Sequence, residues 1–149
     1  MSLLQPFYAA AATSGFAVLF GLRSADIILA AAGAAAGQAV LVLLPPLGSP
    51  AFASFFAALA AGIYSELAAF FRKRPATVYM IASIIPLVPG GGMYYSMLST
   101  LEGSPGESVD IIVSTLMTAF ALAAGLAAAN ALARLAFESQ RASRPAKEK

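Results

Sequence analysis

The chain has 149 residues, is 60% hydrophobic and only 11% charged, and has a mean hydropathy of +0.81. That composition belongs to integral membrane proteins, and the length suits one domain. With no Cys and no His, the sequence excludes disulfides, thiol or imidazole catalysis and His/Cys metal sites. The net charge of +2 and a pI near 9.2 would suggest nucleic acid in a soluble chain, but in an apolar one the placement of charge reports membrane topology.

Five apolar segments follow one another. The first, residues 3–22, lacks a basic leader and is about as long as a full span, so it reads as a first transmembrane helix rather than a cleaved signal peptide. The second, 27–44, is approached through Ser24 and Asp26, residue types that suit an N-cap. A Pro45-Pro46-Leu47-Gly48-Ser49-Pro50 turn leads into the third, 51–71. The fourth, 76–101, is broken over residues 86–92. The fifth, 111–133, is approached through Ser108 and Asp110. The expected fold is an all-α integral membrane protein of five transmembrane helices within residues 1–137, followed by a polar, disordered tail over 138–149.

Charge placement tests that count. Five spans put Arg23, Arg72, Lys73, Arg74, Arg134, Arg141, Arg144, Lys147 and Lys149 on one side, which accounts for all nine cations. The opposite side receives the N-terminus, the uncharged turn at 45–50 and the loop carrying Glu102, Glu107 and Asp110. The positive-inside rule then places the N-terminus outside and the C-terminus in the cytoplasm. A four-span or six-span chain would scatter the cations over both faces. The basic tail reads as a solvated determinant of topology.

The spans are rich in small residues. Gly33-Ala34-Ala35-Ala36-Gly37 and the Ala/Gly run over 121–130 are smooth faces that suit close helix contacts, within the chain or between subunits. A bundle this small is expected to work as an oligomer, because a complete transport path commonly needs two repeats. Gln38 and Asn130, uncharged and inside spans, read as hydrogen-bonding glue between helices.

The break carries the chemistry. Pro86 and Pro89 have no amide hydrogen and would leave the carbonyls of Ala82 and Ile85 without helical partners. Gly90, Gly91 and Gly92 let a ligand approach the backbone closely. Irregular backbone at membrane depth is tolerated only when buried in protein or lining a cavity. Two half-helices would meet there, the second beginning near Gly92 and Met93. They would offer carbonyls to an ammonium and amides to a carboxylate, the two charges of a free amino acid. Tyr79 and Ser83 before the break, with Tyr94, Tyr95 and Ser96 after it, are candidates to complete a substrate site. The alternative is a mere kink or re-entrant loop, with the tyrosines as interface anchors. Glu66, the only carboxylate inside a predicted span, is a candidate proton carrier or ammonium partner; alternatively it reaches water or pairs with the Arg72–Arg74 cluster. No nucleophile–base pair or metal cluster stands out, so neither catalysis nor a cofactor or metal is expected.

Arg74-Pro75-Ala76-Thr77-Val78, followed by Ile84-Ile85-Pro86-Leu87-Val88-Pro89-Gly90-Gly91-Gly92-Met93-Tyr94-Tyr95, resembles the signature of the threonine/serine exporter family, ThrE-like. In particular it resembles the small YjjB-type membrane subunit, and Tyr64-Ser65-Glu66 fits the same pattern. The resemblance is specific over residues 64–101. It implies a multi-pass protein of the bacterial inner membrane that exports threonine and serine, with a larger YjjP-type membrane subunit as partner. Some YjjB-type pairs are associated with dicarboxylates such as succinate. The three consecutive glycines after Pro89 depart from relatives that often carry a bulkier residue there, which bears on pocket size. The expected function is therefore a proton-driven small amino-acid exporter subunit, with a dicarboxylate exporter or a non-transporting scaffold as alternatives. No cation lies deep in a span to hold a dicarboxylate.

Overall fold

The computed structural model describes residues 4–44, 49–103 and 105–142; among them every regular element is helical. The helices are α1 (Gln5–Leu19), α2 (Ser24–Leu43), α3 (Pro50–Arg72), α4 (Ala76–Ile84), α5 (Gly90–Leu101) and α6 (Pro105–Ala142), with a 3-10 turn over Ile85–Leu87 between α4 and α5. Four stretches are long and apolar enough to cross a membrane: α2, α3, α4 and α5 taken together, and residues 106–136 of α6. Helix α1 has 15 residues and falls short of that length.

Helix ends follow local chemistry. Helix α1 stops where Gly21 takes φ 69° and the Leu22 amide returns to the Ala17 carbonyl at 3.0 Å. The expectation that Ser24 or Asp26 caps α2 is corrected: Arg23 is the N-cap residue, and no side chain caps it. Ser49 does cap α3, accepting from the Phe52 amide at 3.4 Å, with Pro50 in the first turn. Helix α6 begins at Pro105, six residues before the expected 111, and extends through 138–142. Residues 45–48 of the expected turn and 143–149 of the expected tail lie outside the described residues.

Small residues set the packing. Helix α3 lies between α2 and α6, α1 packs along α2, and α4 wedges against both α2 and α3. A Cβ at Gly37 would sit 3.1 Å from the Ala57 carbonyl and 3.2 Å from the Ala61 methyl. One at Gly125 would strike the Phe55 carbonyl and come within 2.9 Å of the Ala58 methyl. Both smooth faces therefore serve contacts inside this chain, where backbones approach because side chains are absent. Gln38 Nε2 donates to Gln5 Oε1 at 3.4 Å, tying α2 to α1.

Helix α5 has different company. Among the described residues it packs on α6 alone. Ser108 Oγ donates to the Ser96 carbonyl at 2.8 Å and fastens the turn between the two, which Gly103 makes with φ 81°. The interruption after α4 thus hands the chain from the α2–α3 side to the α6 side. Outward faces carry Phe7, Tyr8, Leu19, Phe71, Met97, Leu116 and Phe120, the residue types expected against lipid.

Candidate functional site

The interruption is built in stages. After Ile84 the chain tightens into the 3-10 turn, whose closing bond runs from the Val88 amide to the Ile85 carbonyl at 3.3 Å. Pro86 has no proton to return to Ala82. Val88 is extended (φ −62°, ψ 133°), and the Gly90 amide turns back to the Val88 carbonyl at 2.8 Å. Helix α5 then starts at Gly90 rather than near Gly92 and Met93, so all three glycines form its first turn. The Met93 amide reaches the Pro89 carbonyl at 3.4 Å. The Gly91 and Gly92 amides belong to the set that no helix can satisfy from within.

The three glycines are not equivalent. A Cβ at Gly90 would meet nothing within 4 Å, and one at Gly91 only the Tyr95 ring at 4.0 Å. A Cβ at Gly92 would collide with the Thr115 side chain of α6. Gly92 is a packing residue; Gly90 and Gly91 present bare backbone to the outside of the bundle. Tyr94 and Tyr95 are exposed, with rings edge to face at 5.3 Å. Gly92 and Tyr95 also line an open cavity of about 370 Å³ between α5 and α6, with Ser99, Glu102 and Glu107 at its far end.

Tyr79 and Ser83 go elsewhere. Both are buried in the α2–α4 contact. The Ser83 hydroxyl lies 2.7 Å from its own-helix carbonyl of Tyr79 and 3.0 Å from the Ala30 carbonyl of α2. Gly33 makes room for it, since a Cβ there would sit 2.7 Å from Ser83 Oγ. The Tyr79 hydroxyl donates to Asp26 Oδ1 at 2.8 Å. Asp26 is 1% exposed; its Oδ1 also accepts from Arg72 Nε at 3.2 Å, and its Oδ2 forms an ion pair with Arg74 Nε at 3.3 Å. This four-residue cluster joins α2, the end of α3 and the start of α4.

Comparison with known proteins adds one decisive finding. A sequence model of the family described as Threonine/Serine exporter, ThrE, matches residues 5–132. The chain belongs to the threonine/serine exporter family. Neither the curated proteins nor the solved structures gave a match. Family and helices together make this a multi-pass membrane protein with an exporter-type transport role.

Within this exporter-family chain, the residues singled out from the sequence fall into separate places. Pro86, Pro89, Gly90, Gly91, Gly92, Tyr94 and Tyr95 stay together around the start of α5, whereas Tyr79 and Ser83 belong to the buried α2–α4 seam. Glu66 is half-buried on α3 and pairs with no cation among the described residues. Arg72 and Arg74 instead take Asp26, which sequence reading treated only as a capping type. A usable signal was present: Asp26 immediately precedes an apolar run, on the same side as the Arg72–Arg74 cluster. A carboxylate entering a span beside opposite charge seeks a partner there.

Proposed function

We propose that this chain is one subunit of a secondary exporter that moves threonine and serine out across the bacterial inner membrane, driven by the proton gradient and paired with a larger YjjP-type subunit. The observation that carries the site is the interruption between α4 and α5, with the backbone of Gly90 and Gly91 uncovered beside it. The free amides at the start of α5 suit a substrate carboxylate. Pro86 and Pro89 keep the helix from closing over them, and Tyr94 and Tyr95 stand one turn further on. The outward aspect of this surface supports a site completed by the second subunit. Glu66 is the proposed proton carrier, being half-buried on α3 and paired with no cation among the described residues. The proposed topology has five spans, with the cation-bearing end in the cytoplasm.

The test is uptake of labelled threonine, serine and succinate into inside-out vesicles carrying both subunits, with and without a proton gradient. Gradient-dependent threonine or serine uptake, abolished by Gly91→Leu while both proteins remain in the membrane, supports the reading. A Cβ at Gly91 meets only the Tyr95 ring, at 4.0 Å, so a side chain there is aimed at covering the exposed backbone, and the amount of complex in the membrane is measured alongside uptake. Uptake of succinate alone moves the function to dicarboxylates. Absence of all three uptakes from intact complexes removes the export reading.

A further inference from the structure

We propose that Arg72 and Arg74 form a carboxylate-binding site at the cation-bearing end of the bundle, held in shape from behind by Asp26 and Tyr79. The site begins in the backbone. Helix α3 ends at Arg72; Lys73 takes the left-handed conformation (φ 53°, ψ 42°), and the Arg74 amide turns back to the Ala69 carbonyl at 3.1 Å. Lys73 is the only non-glycine residue with positive φ among the described residues. Such a conformation is uncommon for a long side chain. Here it brings the residues on either side of Lys73 onto one carboxylate, while Lys73 itself stays exposed.

The charges do not balance. Two guanidinium groups face one carboxylate, and the third partner, the Tyr79 hydroxyl, is neutral. Each arginine binds Asp26 through Nε, at 3.2 and 3.3 Å, and pairs with no other carboxylate among the described residues. Their side chains remain 42% and 37% exposed, against 1% for Asp26. Arg72 also interacts with the Tyr79 hydroxyl, and the remaining terminal N–H groups of the two guanidinium groups offer a second oxyanion the planar, two-pronged geometry that arginine favours. One bound carboxylate would bring this cluster to neutrality. Neighbouring charge supports its capture: Arg23 and Lys73 are exposed on the flanks, while Glu102, Glu107 and Asp110 lie at the other end of α5 and the start of α6.

The occupant is the carboxylate of the transported molecule, which rests on the export reading above and makes this end the entrance. Its test does not use transport. The full chain is placed in phosphatidylcholine nanodiscs and labelled with phenylglyoxal, and each arginine is followed by peptide mass spectrometry. The probes are threonine, 3-hydroxybutyrate (which lacks the ammonium) and threoninol (which lacks the carboxylate). Threonine and 3-hydroxybutyrate are expected to slow labelling of Arg72 and Arg74 about fivefold once each exceeds its dissociation constant about fourfold. Threoninol should have no effect, and Arg23 and Arg134 should label at unchanged rates. Equal slowing of every arginine, or none at Arg72 and Arg74, overturns the site. Protection that appears only when phosphatidylglycerol replaces the neutral lipid assigns the oxyanion to a headgroup and overturns the substrate assignment. Protection without vesicle uptake would leave the site standing and the export reading fallen; uptake without protection would do the reverse.

Discussion

At the scale of single residues, neighbouring glycines with one sequence signature do different work. Gly91 opens outward, whereas Gly92 touches Thr115 of α6. A methyl group at Gly92 overpacks the α5–α6 contact, at a cost of about 1–3 kcal/mol. Gly92→Ala is therefore expected to lower the melting temperature of the purified protein in detergent. Adding Thr115→Ala, which removes the hydroxyl and methyl that the new Cβ would meet, should recover most of the loss. Gly91→Ala should leave the melting temperature nearly unchanged. Equal melting temperatures for the two single variants would contradict the assignment of Gly92 to packing. The sequence made the glycine run legible as a place of close approach, but approach to what depends on the register of α5 against α6, which no local pattern contains. The same gap hid Asp26. Its residue type fits a helix start, and its real partners are 46 and 53 positions away.

At the scale of elements, hydropathy marked where apolar helices run because burial in lipid requires backbone groups to be satisfied within each segment. It did not say which helices touch. The run over 76–101 reads as one span, yet its halves pack on different neighbours, α4 on α2 and α3, α5 on α6. Helix α6 starts at Pro105, ahead of Ser108 and Asp110, although both are residue types that suit a cap. Ser108 instead bonds back to Ser96 and Thr100 across the turn. The α3–α6 seam gives a sharp test of small-residue packing. A Cβ at Gly125 would strike backbone at Phe55 and crowd the Leu59 amide at 3.1 Å, and backbone cannot turn aside as a side chain can. Gly125→Ala is expected to destabilise or prevent folding. Gly15→Ala, at a helical position with nothing within 4 Å, should be neutral or stabilising by up to about 1 kcal/mol. The two melting temperatures measured side by side decide it. A tolerated Gly125→Ala would mean that α3 and α6 lie further apart.

At the scale of the whole molecule, α1 decides the topology. Its 15 residues rise about 22 Å, less than the roughly 30 Å of hydrocarbon. If α1 stays on one side, four crossings remain and both termini share a compartment; if it crosses, the termini are opposed. Its packing argues for crossing. Gln5 of α1 meets Gln38 of α2, and α2 continues only to Leu43, about 7.5 Å further at 1.5 Å per residue. At the other end Gly21 turns the chain directly into α2. Helix α1 thus runs beside α2 for nearly its whole length. Its exposed side, with Phe7, Tyr8, Phe16, Val18 and Leu19, suits lipid along that length. Reporters fused at either terminus should read opposite compartments, with the one after Lys149 in the cytoplasm. Neutralising Arg72, Lys73 and Arg74 together should weaken that bias, because topology follows the Lys/Arg content of short loops. Two reporters on the same side would leave α1 uncrossed. The nine cations would still share a face, because Arg23 and all the others follow α1 in the chain; this is the one four-span arrangement that charge placement does not scatter, and the end carrying Arg72 and Arg74 would keep its side.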